Sequence, residues 1–486
     1  MKKPFVLPLI ILCCISSSLK AQQHKAILPN PFYSVAVTNI DKKGGVALQS
    51  FINGRKGDTI LLIGGRIKGL HNFNGTAFPF STSNNRLMVY VPGNGSTVQS
   101  KVFSSAIPAS LPVQGQLQLA STNMQFCQHA DTLYSFGGFG FNGIVQGDSC
   151  YGTFNSLFAV QVSGLINAIV TGDTLNNKLG NYFTFSQQPN PSDSTMAVTG
   201  GELVKMGSDY YLVMGQDFQG HYGTGQVHYQ RYTNTVTQLR FSYTPNRNLS
   251  YTVVQNMEGP SLSFHRRDLN VVPVIGTNGK EGIDVYGGVF TPTVNGGPYL
   301  NPVKFRMNHL EEPFFTIDSS LTQYFNQYAS AHVLLYDAKG RTMFSTILGG
   351  ISLYDKVREV NNHRPIAPSD TTMPWSRVIS TIIRDSIGSL TEFASDNDPL
   401  PAYIGAEARF VPYKKFLKDG SEEIIDYNKV VLYANRNKTN AVQIGFLFGG
   451  ILSVDSAGTL TNSDPSLYKV ELKITTAKNS SPSFIK

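Results

Sequence analysis

The feature that most constrains this chain is an apolar strand that ends in Gly-Gly and returns six times. The occurrences are Ile60-Leu61-Leu62-Ile63-Gly64-Gly65, Leu133-Tyr134-Ser135-Phe136-Gly137-Gly138 and the near version Tyr211-Leu212-Val213-Met214-Gly215-Gln216. They continue with Ile283-Asp284-Val285-Tyr286-Gly287-Gly288, Thr346-Ile347-Leu348-Gly349-Gly350 and Gly445-Phe446-Leu447-Phe448-Gly449-Gly450. Counted from Gly64, Gly137, Gly215, Gly287, Gly349 and Gly449, the spacings are 73, 78, 72, 62 and 100 residues. A unit that returns at such intervals cannot bury its apolar face alone, so it must stack on copies of itself.

Each copy has the same surroundings. Upstream lies a strand and a turn, as at Asn53–Asp58 or Asp337–Arg341. Downstream lies a Gly/Asn/aromatic loop, then a strand such as Asn85–Val91, Ser156–Val160 or Leu467–Leu472. These runs alternate or are continuously apolar over strand lengths, and no segment shows a convincing helical period. Composition agrees: 15% of residues are charged, and the chain holds 45 Gly, 30 Phe and 23 Tyr. That balance excludes a disordered chain, a coiled coil and a charge-laced helical bundle.

A strand ending in Gly-Gly, a long loop and a strand of the form N-x-L-x-V-Y together resemble the kelch repeat. The resemblance covers roughly residues 31–475. It implies an all-β fold, a single β-propeller of four-stranded antiparallel blades over 22–486, behind a signal peptide at 1–21. The units exceed the usual kelch length of about 50, the third reads Gly-Gln, and the kelch-type Trp is largely missing. Phe264–Pro273 also resembles uncharacterised exported propellers of Bacteroidetes. Six blades are expected, closed by the N-terminal strand Phe32–Thr38 joining the last blade beside Ser466–Ile474. Seven is the alternative, because the 100-residue interval holds both Ala406–Val411 and Lys429–Tyr433 as candidate inner strands.

Lys2 and Lys3, the short apolar core Phe5–Ile15 and the small residue Ala21 read as a secretory signal. An exported protein is expected, whether periplasmic, associated with the outer membrane or secreted. Removing Lys2, Lys3 and Lys20 leaves 37 basic residues against 32 acidic ones, so the net charge falls from +8 to +5. No dense basic stripe is present, which argues against nucleic-acid binding. No apolar run approaches the length of a membrane span, and a monomer is expected. Cys127 and Cys150 remain after cleavage and are expected to form a disulfide in an oxidising compartment.

In a meander blade the loops after the second strands share a face with the links between blades, and long loops on a rigid scaffold are where binding residues concentrate. The aromatic and amide residues of these loops, His71, Phe73, Phe141, Asn142, Phe218, His221 and Tyr222, suit a glycan, a peptide or a protein partner. Packing between blades accounts for the same aromatics equally. Arg358, His363 and Arg364 in the fifth loop are candidates to reach over the channel mouth, with a solvated loop face as the competing account. Glu202, Glu258 and Glu407, and the run His265-Arg266-Arg267-Asp268, fall near the starts of inner strands. Glu258, His265 and Arg266 are therefore candidates for proton transfer or anion binding, and Arg267 for ligand binding. Simple ion pairing within the run is the structural alternative. No metal, phosphate or nucleophile motif is present, and no cofactor is expected. Two functions follow from this pattern. One is a binding propeller that uses its loop face. The other is an enzyme acting on a polar or anionic sugar-like molecule in the channel, similar to kelch-type sialic acid mutarotases.

Overall fold

The computed structural model describes residues 29–475 apart from 72–76, 146–147, 174, 187–195, 223–226, 244–247, 293–295, 356–372 and 396–397. The signal segment thus lies outside the described residues. Six antiparallel meanders account for most of the chain, and the fold is an all-β propeller. Their first strands are Ile52–Lys56, Gln125–His129, Glu202–Met206, Arg267–Ile275, His332–Asp337 and Arg409–Pro412. The first five meanders continue outward in chain order to a fourth strand. The sixth ends on Leu467–Ile474, and the strand beside it is the N-terminal Tyr33–Asp41, with Val35 opposite Leu472. That pairing is the one expected from the spare strand at the start of the chain. It supplies the last meander with its fourth, outer strand.

The core is divided among the seams between neighbouring meanders. Leu61 and Val89 pack with Leu133 and Phe158, Phe136 and Leu157 with Leu203 and Leu212, and Met206 and Val213 with Val271 and Ile283. Val272 and Tyr286 then pack with Leu334 and Ile347, and Val333 and Phe344 with Ile444 and Val470. A sixth seam joins Phe446 and Phe448 of the last repeat to Phe51, Ile60 and Tyr90 of the first. Alternation along a strand places one apolar row on each side of a sheet, so a blade must be covered on both sides.

The glycine pair has a mechanical role at these seams. In five repeats both glycines have positive φ, as at Gly64 (66°) and Gly65 (86°). A Cβ on the second would sit 2.5 Å from the Gln49 carbonyl oxygen. The third repeat shows a register different from the one read in the sequence. Met214 (54°) and Gly215 (94°) occupy the two positions, so the pair is Met-Gly and Gln216 is the residue after it. A methionine in this conformation costs roughly 1–2 kcal/mol, offset by complete burial of its side chain.

A second periodic feature was not read from sequence. Ser50, Asn123, Gly200, Ala329 and Glu407 stand just ahead of first strands and Asp268 is the second residue of one, and all six have positive φ, between 45° and 67°. Four links join neighbours directly: the amides of Asn123, Asp268, Ala329 and Glu407 donate to the carbonyls of Ser50, Gly200, Asp268 and Ala329 at 2.6–3.1 Å. This collar of backbone forms the neck of an axial channel.

Several expectations are corrected by these elements. The 100-residue interval holds no seventh meander among the described residues. Lys429–Tyr433 belongs to a helix, Tyr427–Asn437, whose N-cap Asp426 accepts from the amides of Asn428 and Lys429. Just before it, Ile424–Asp426 pairs in parallel with the inner strand His332–Asp337. A further helix, Val162–Thr171, buries Val162, Leu165, Ile166 and Ile169 against the seam of the first two repeats and stops at the left-handed Gly172. These helices are short, and their apolar stripes read equally well as buried strands. The loops that hold Phe141, Asn142, Phe218, His221 and Tyr222 instead contribute to a further four-stranded sheet, outside the six meanders. It comprises Phe139–Val145, Asp148–Thr153, Gln216–Gly220 and His228–Tyr232, and stands above the second and third repeats.

Cys127 and Cys150 are not bridged. Cys127 lies on an inner strand beyond the neck, paired with Tyr134, whereas Cys150 lies in the added sheet on the loop face, opposite Gly143. The neck separates them. Burial pushes the Cys127 thiol up to about 12. Among the described residues no helix is long and apolar enough to cross a membrane.

Candidate functional site

The collar divides the channel into stacked spaces in register with the repeats. On the loop side, a cavity of about 1010 Å³, open solvent at its mouth included, has for its floor the collar and the residues preceding it. Because the links between repeats and the loops after the second strands share this face, the floor is nearly symmetric and the walls are not.

Much of the wall is aromatic. Phe78, Phe139, Phe218 and Tyr222 form one packed group, with Phe139 edge-on to Phe78 at 5.3 Å and to Phe218 at 5.5 Å. His71 meets Tyr222 edge-on at 4.7 Å and Phe78 at 4.8 Å. The added sheet holds this wall upright, since Phe139 and Phe218 are on its strands. Thr153 fixes two of those strands together, accepting from the Phe218 amide at 2.9 Å and donating to its carbonyl at 3.0 Å.

Two arginines enter the cavity with different surroundings. Arg267 donates to the Tyr222 hydroxyl at 2.6 Å, lies 3.5 Å from Asp268 Oδ2 and stacks over Phe290 at 4.3 Å. Its charge is therefore answered within the protein. Arg66 is only 5% exposed, and its guanidinium lies 4.5 Å over the Phe78 ring. Its Nη2 donates to the Ala77 carbonyl at 3.3 Å, while Nε has no hydrogen-bond partner among the described residues. No carboxylate within salt-bridge distance faces Arg66 among the described residues. Burial lowers it to about 10.

Two carboxyls stand on the floor, Asp268 and Glu407, on the fourth and sixth collar positions. Burial pushes Glu407 up to about 7, with Arg409 opposing and Asp268 adding to the rise. Burial also raises Asp268, against the pull of Arg267. A carboxyl that titrates near neutrality at the base of a cavity can hold or release a proton at working pH.

Of the residues singled out from sequence, His71, Phe218, Tyr222 and Arg267 line this cavity. Phe141 and His221 lie in or beside the added sheet, against Tyr151 at 5.8 Å and 4.9 Å. The Asn142 carbonyl accepts from Gln114 Nε2 at 3.2 Å, away from the cavity lining. Phe73, Arg358, His363 and Arg364 lie outside the described residues.

Three placements differ from the sequence reading. Glu258 ends Leu249–Glu258, the outermost strand of the third meander, and is exposed, so it is far from the channel in strand order. His265 stacks on Tyr232 at 3.8 Å and contacts the Phe290 carbonyl through Nδ1 at 3.1 Å. Arg266 is 1% exposed and donates to the carbonyls of Ser263, Gly287 and Asn301 at 2.8, 3.1 and 3.0 Å. Its donors are spent on backbone, which fits a structural role. The sequence reading passed over Arg66, Phe78 and Phe290. A positional signal existed: Arg66, Phe139, Gln216, Ile351 and Ile451 each follow a glycine pair or its Met-Gly equivalent, and all five line the cavity. Arg66 is the charged member of that set.

No protein-family model matches the chain, and no curated protein matches it. Among solved structures, one titled "Structure of YjhT" aligns with 91% of this chain and 98% of its own, at 11% identity and a TM-score of 0.46.

Proposed function

We propose that this protein is an exported binding propeller whose loop-face cavity holds the end of a glycan carrying an acidic group. The observation that carries the reading is Arg66. A guanidinium so buried, with an unpartnered Nε and no carboxylate facing it, leaves a charge for a ligand to neutralise. A carboxylate matches the planar fork of its donors. The aromatic wall of Phe78, Phe139, Phe218 and Tyr222 supplies the flat apolar faces on which sugar rings stack. An array of neutral and uronic-acid-bearing glycans tests the reading. Retention of the acidic ones, lost in Arg66→Gln, is the expected result, and equal retention of neutral glycans by both proteins overturns it. Export is tested by the N-terminal mass of the mature protein, expected to begin after Ala21.

Glu407 favours a second reading, an enzyme that moves a proton on the same acidic sugar. The group would act as general acid or base from the floor, with burial, Arg409 and Asp268 setting its charge. A general acid–base group contributes about 10²–10⁴-fold. Exchange spectroscopy on the anomers of glucuronate separates the readings. Faster exchange that Glu407→Gln abolishes supports catalysis, and unaltered exchange with retained binding leaves the protein a binder.

A further inference from the structure

The repeat sets one pair of residues from each meander around the floor of the loop-face cavity. The first of each pair stands just ahead of a collar position, and the second follows a glycine pair or its Met-Gly equivalent. Gln49 is bridged to Arg66, Thr122 to Phe139, Thr199 to Gln216 and Tyr328 to Ile351. Arg267 lies opposite Val289, and the Ile451 amide donates to the Ala406 carbonyl at 2.9 Å. All of these except Val289 line the cavity.

Alike in backbone, the pairs divide by chemistry. The first four repeats present Gln49, Arg66, Thr122, Thr199, Gln216 and Arg267. The fifth and sixth present Ile351, Ala406 and Ile451, which pack on one another with Trp375. Leu70, 41% exposed, lines the same cavity, and its amide donates to Thr461 Oγ1 at 2.9 Å. Thr461 belongs to the hairpin that Ile451 begins, so Leu70 joins the sixth-repeat side. Among the described residues, the polar side chains that repeats five and six give to the lining are Tyr328 and Glu407. Tyr328 is under the influence of Asp268, Arg267 and Tyr222, toward the fourth repeat, and Glu407 is part of the collar. The seam between the last repeat and the first places this aliphatic flank next to Arg66. Around the axis the order is therefore aliphatic flank, Arg66, then polar floor. Beyond the collar the channel continues to an opposite mouth lined by Arg55, Phe126 and Arg409 among others, which this flank does not reach.

A sugar hydroxyl set against the aliphatic flank would give up water for no partner, whereas an apolar group gains by burial there. A pyranuronate carries its substituents in a matching circular order. The C5 carboxylate and the C1 substituent flank the ring oxygen, and the hydroxyls of C2, C3 and C4 take the remaining edge. With the carboxylate at Arg66 and the hydroxyls over the polar floor, C1 turns to the aliphatic flank.

We infer that the ligand is a uronic acid glycoside whose C1 oxygen carries an alkyl or aryl group, held by Leu70, Ile351 and Ile451. This rests on the acidic-ligand reading of Arg66 and narrows it to apolar glycosides.

Isothermal titration of the full protein with D-glucuronate, phenyl β-D-glucuronide and phenyl β-D-glucoside tests this. Phenyl glucuronide is expected to bind about tenfold or more tighter than glucuronate, since its ring leaves water for an apolar surface. Leu70→Ser and Ile451→Thr are each expected to remove most of that gain and to leave glucuronate affinity within about twofold. Thermal unfolding checks each variant, and Leu70→Ser, at an exposed position, suffices if Ile451→Thr does not fold. Arg66→Gln is expected to weaken both acidic ligands alike. The inference is overturned if neither acidic ligand binds, or if the gain survives in the folded variants. Equal binding of glucuronate and phenyl glucuronide, both lost in Arg66→Gln, overturns the inference alone and leaves the acidic reading standing. Phenyl glucoside bound as tightly as phenyl glucuronide, with Arg66→Gln unaffected, overturns both.

Discussion

The two mouths of one channel are built on the same six strands, yet they differ in kind. At the loop face the lining is aromatic, and the added sheet above the second and third repeats holds it in place. Arg267 has Asp268 and the Tyr222 hydroxyl beside it, whereas among the described residues no carboxylate lies within salt-bridge distance of Arg66. At the other mouth no such sheet is present among the described residues, and the lining carries Arg55, Arg409, Glu202, Glu422 and Glu423. Repetition fixes the backbone of the axis, whereas insertions between strands and single side chains decide what lines each end. The added sheet comes from the loops of two repeats, and Glu422 and Glu423 come from the long insert of the last.

The comparison is broken most severely by removing what holds the loop-face wall. Phe218→Ala deletes a ring that is 3% exposed and touches Phe139, Tyr222 and His228. It is expected to cost about 3–5 kcal/mol in chemical denaturation. Phe126→Ala at the opposite mouth removes a half-buried ring and is expected to cost well under half as much. Equal losses would mean that the added sheet does not fold as one unit with the propeller.

The arginines give the next largest contrast. Arg266→Gln strands three backbone carbonyls and is expected to destabilise by about 2–4 kcal/mol without changing ligand preference. Arg66→Gln is expected to do the reverse. It weakens acidic glycan binding by about 10–100-fold, at 1.5–3 kcal/mol for a charge-assisted contact, and leaves the unfolding midpoint equal or higher because an unanswered buried cation is gone. A lowered midpoint for Arg66→Gln would show that its charge is compensated within the fold.

Titration sharpens the difference further. Glu407 is pushed up to about 7, so it is neutral below that pH and charged above it. Acidic glycan affinity at the loop face is therefore expected to fall by about three- to tenfold as pH rises from 6 to 8, and to become flat in Glu407→Gln. Stability follows the same direction. Glu202, Glu392 and Glu407 all sit at about 7 in the folded protein, above the ordinary 4.5. The folded state thus binds more protons than the unfolded one between about 4.5 and 7. The stability present below 4.5 is lost as pH rises through that window. Denaturant midpoints that rise from pH 5 to pH 7 would contradict these environments.

The smallest effect concerns the cysteines. Under non-reducing conditions, mass spectrometry after unfolding in alkylating agent is expected to show both Cys127 and Cys150 labelled. In the native state Cys127 should react slowly, because burial pushes its thiol up to about 12. An unlabelled pair would restore the disulfide.

The amino-acid sequence determined the sheet type and the repeat, because a strand period and a glycine pair are local and are written at every recurrence. Even the spare strand Phe32–Thr38 was legible, since an unmatched strand at one end and a missing one at the other leave a single economical pairing. The third repeat misled by one residue because Met214 adopts a glycine conformation that tertiary burial stabilises. The helix Tyr427–Asn437 and the added sheet stayed hidden because short apolar runs do not declare their period. Above all, only the tertiary structure decided which charges are answered. Arg66, Arg266 and Arg267 read alike in the chain. One bonds backbone, one pairs with Asp268, and one is left facing a cavity, because contacts between residues distant in sequence fix where each guanidinium ends.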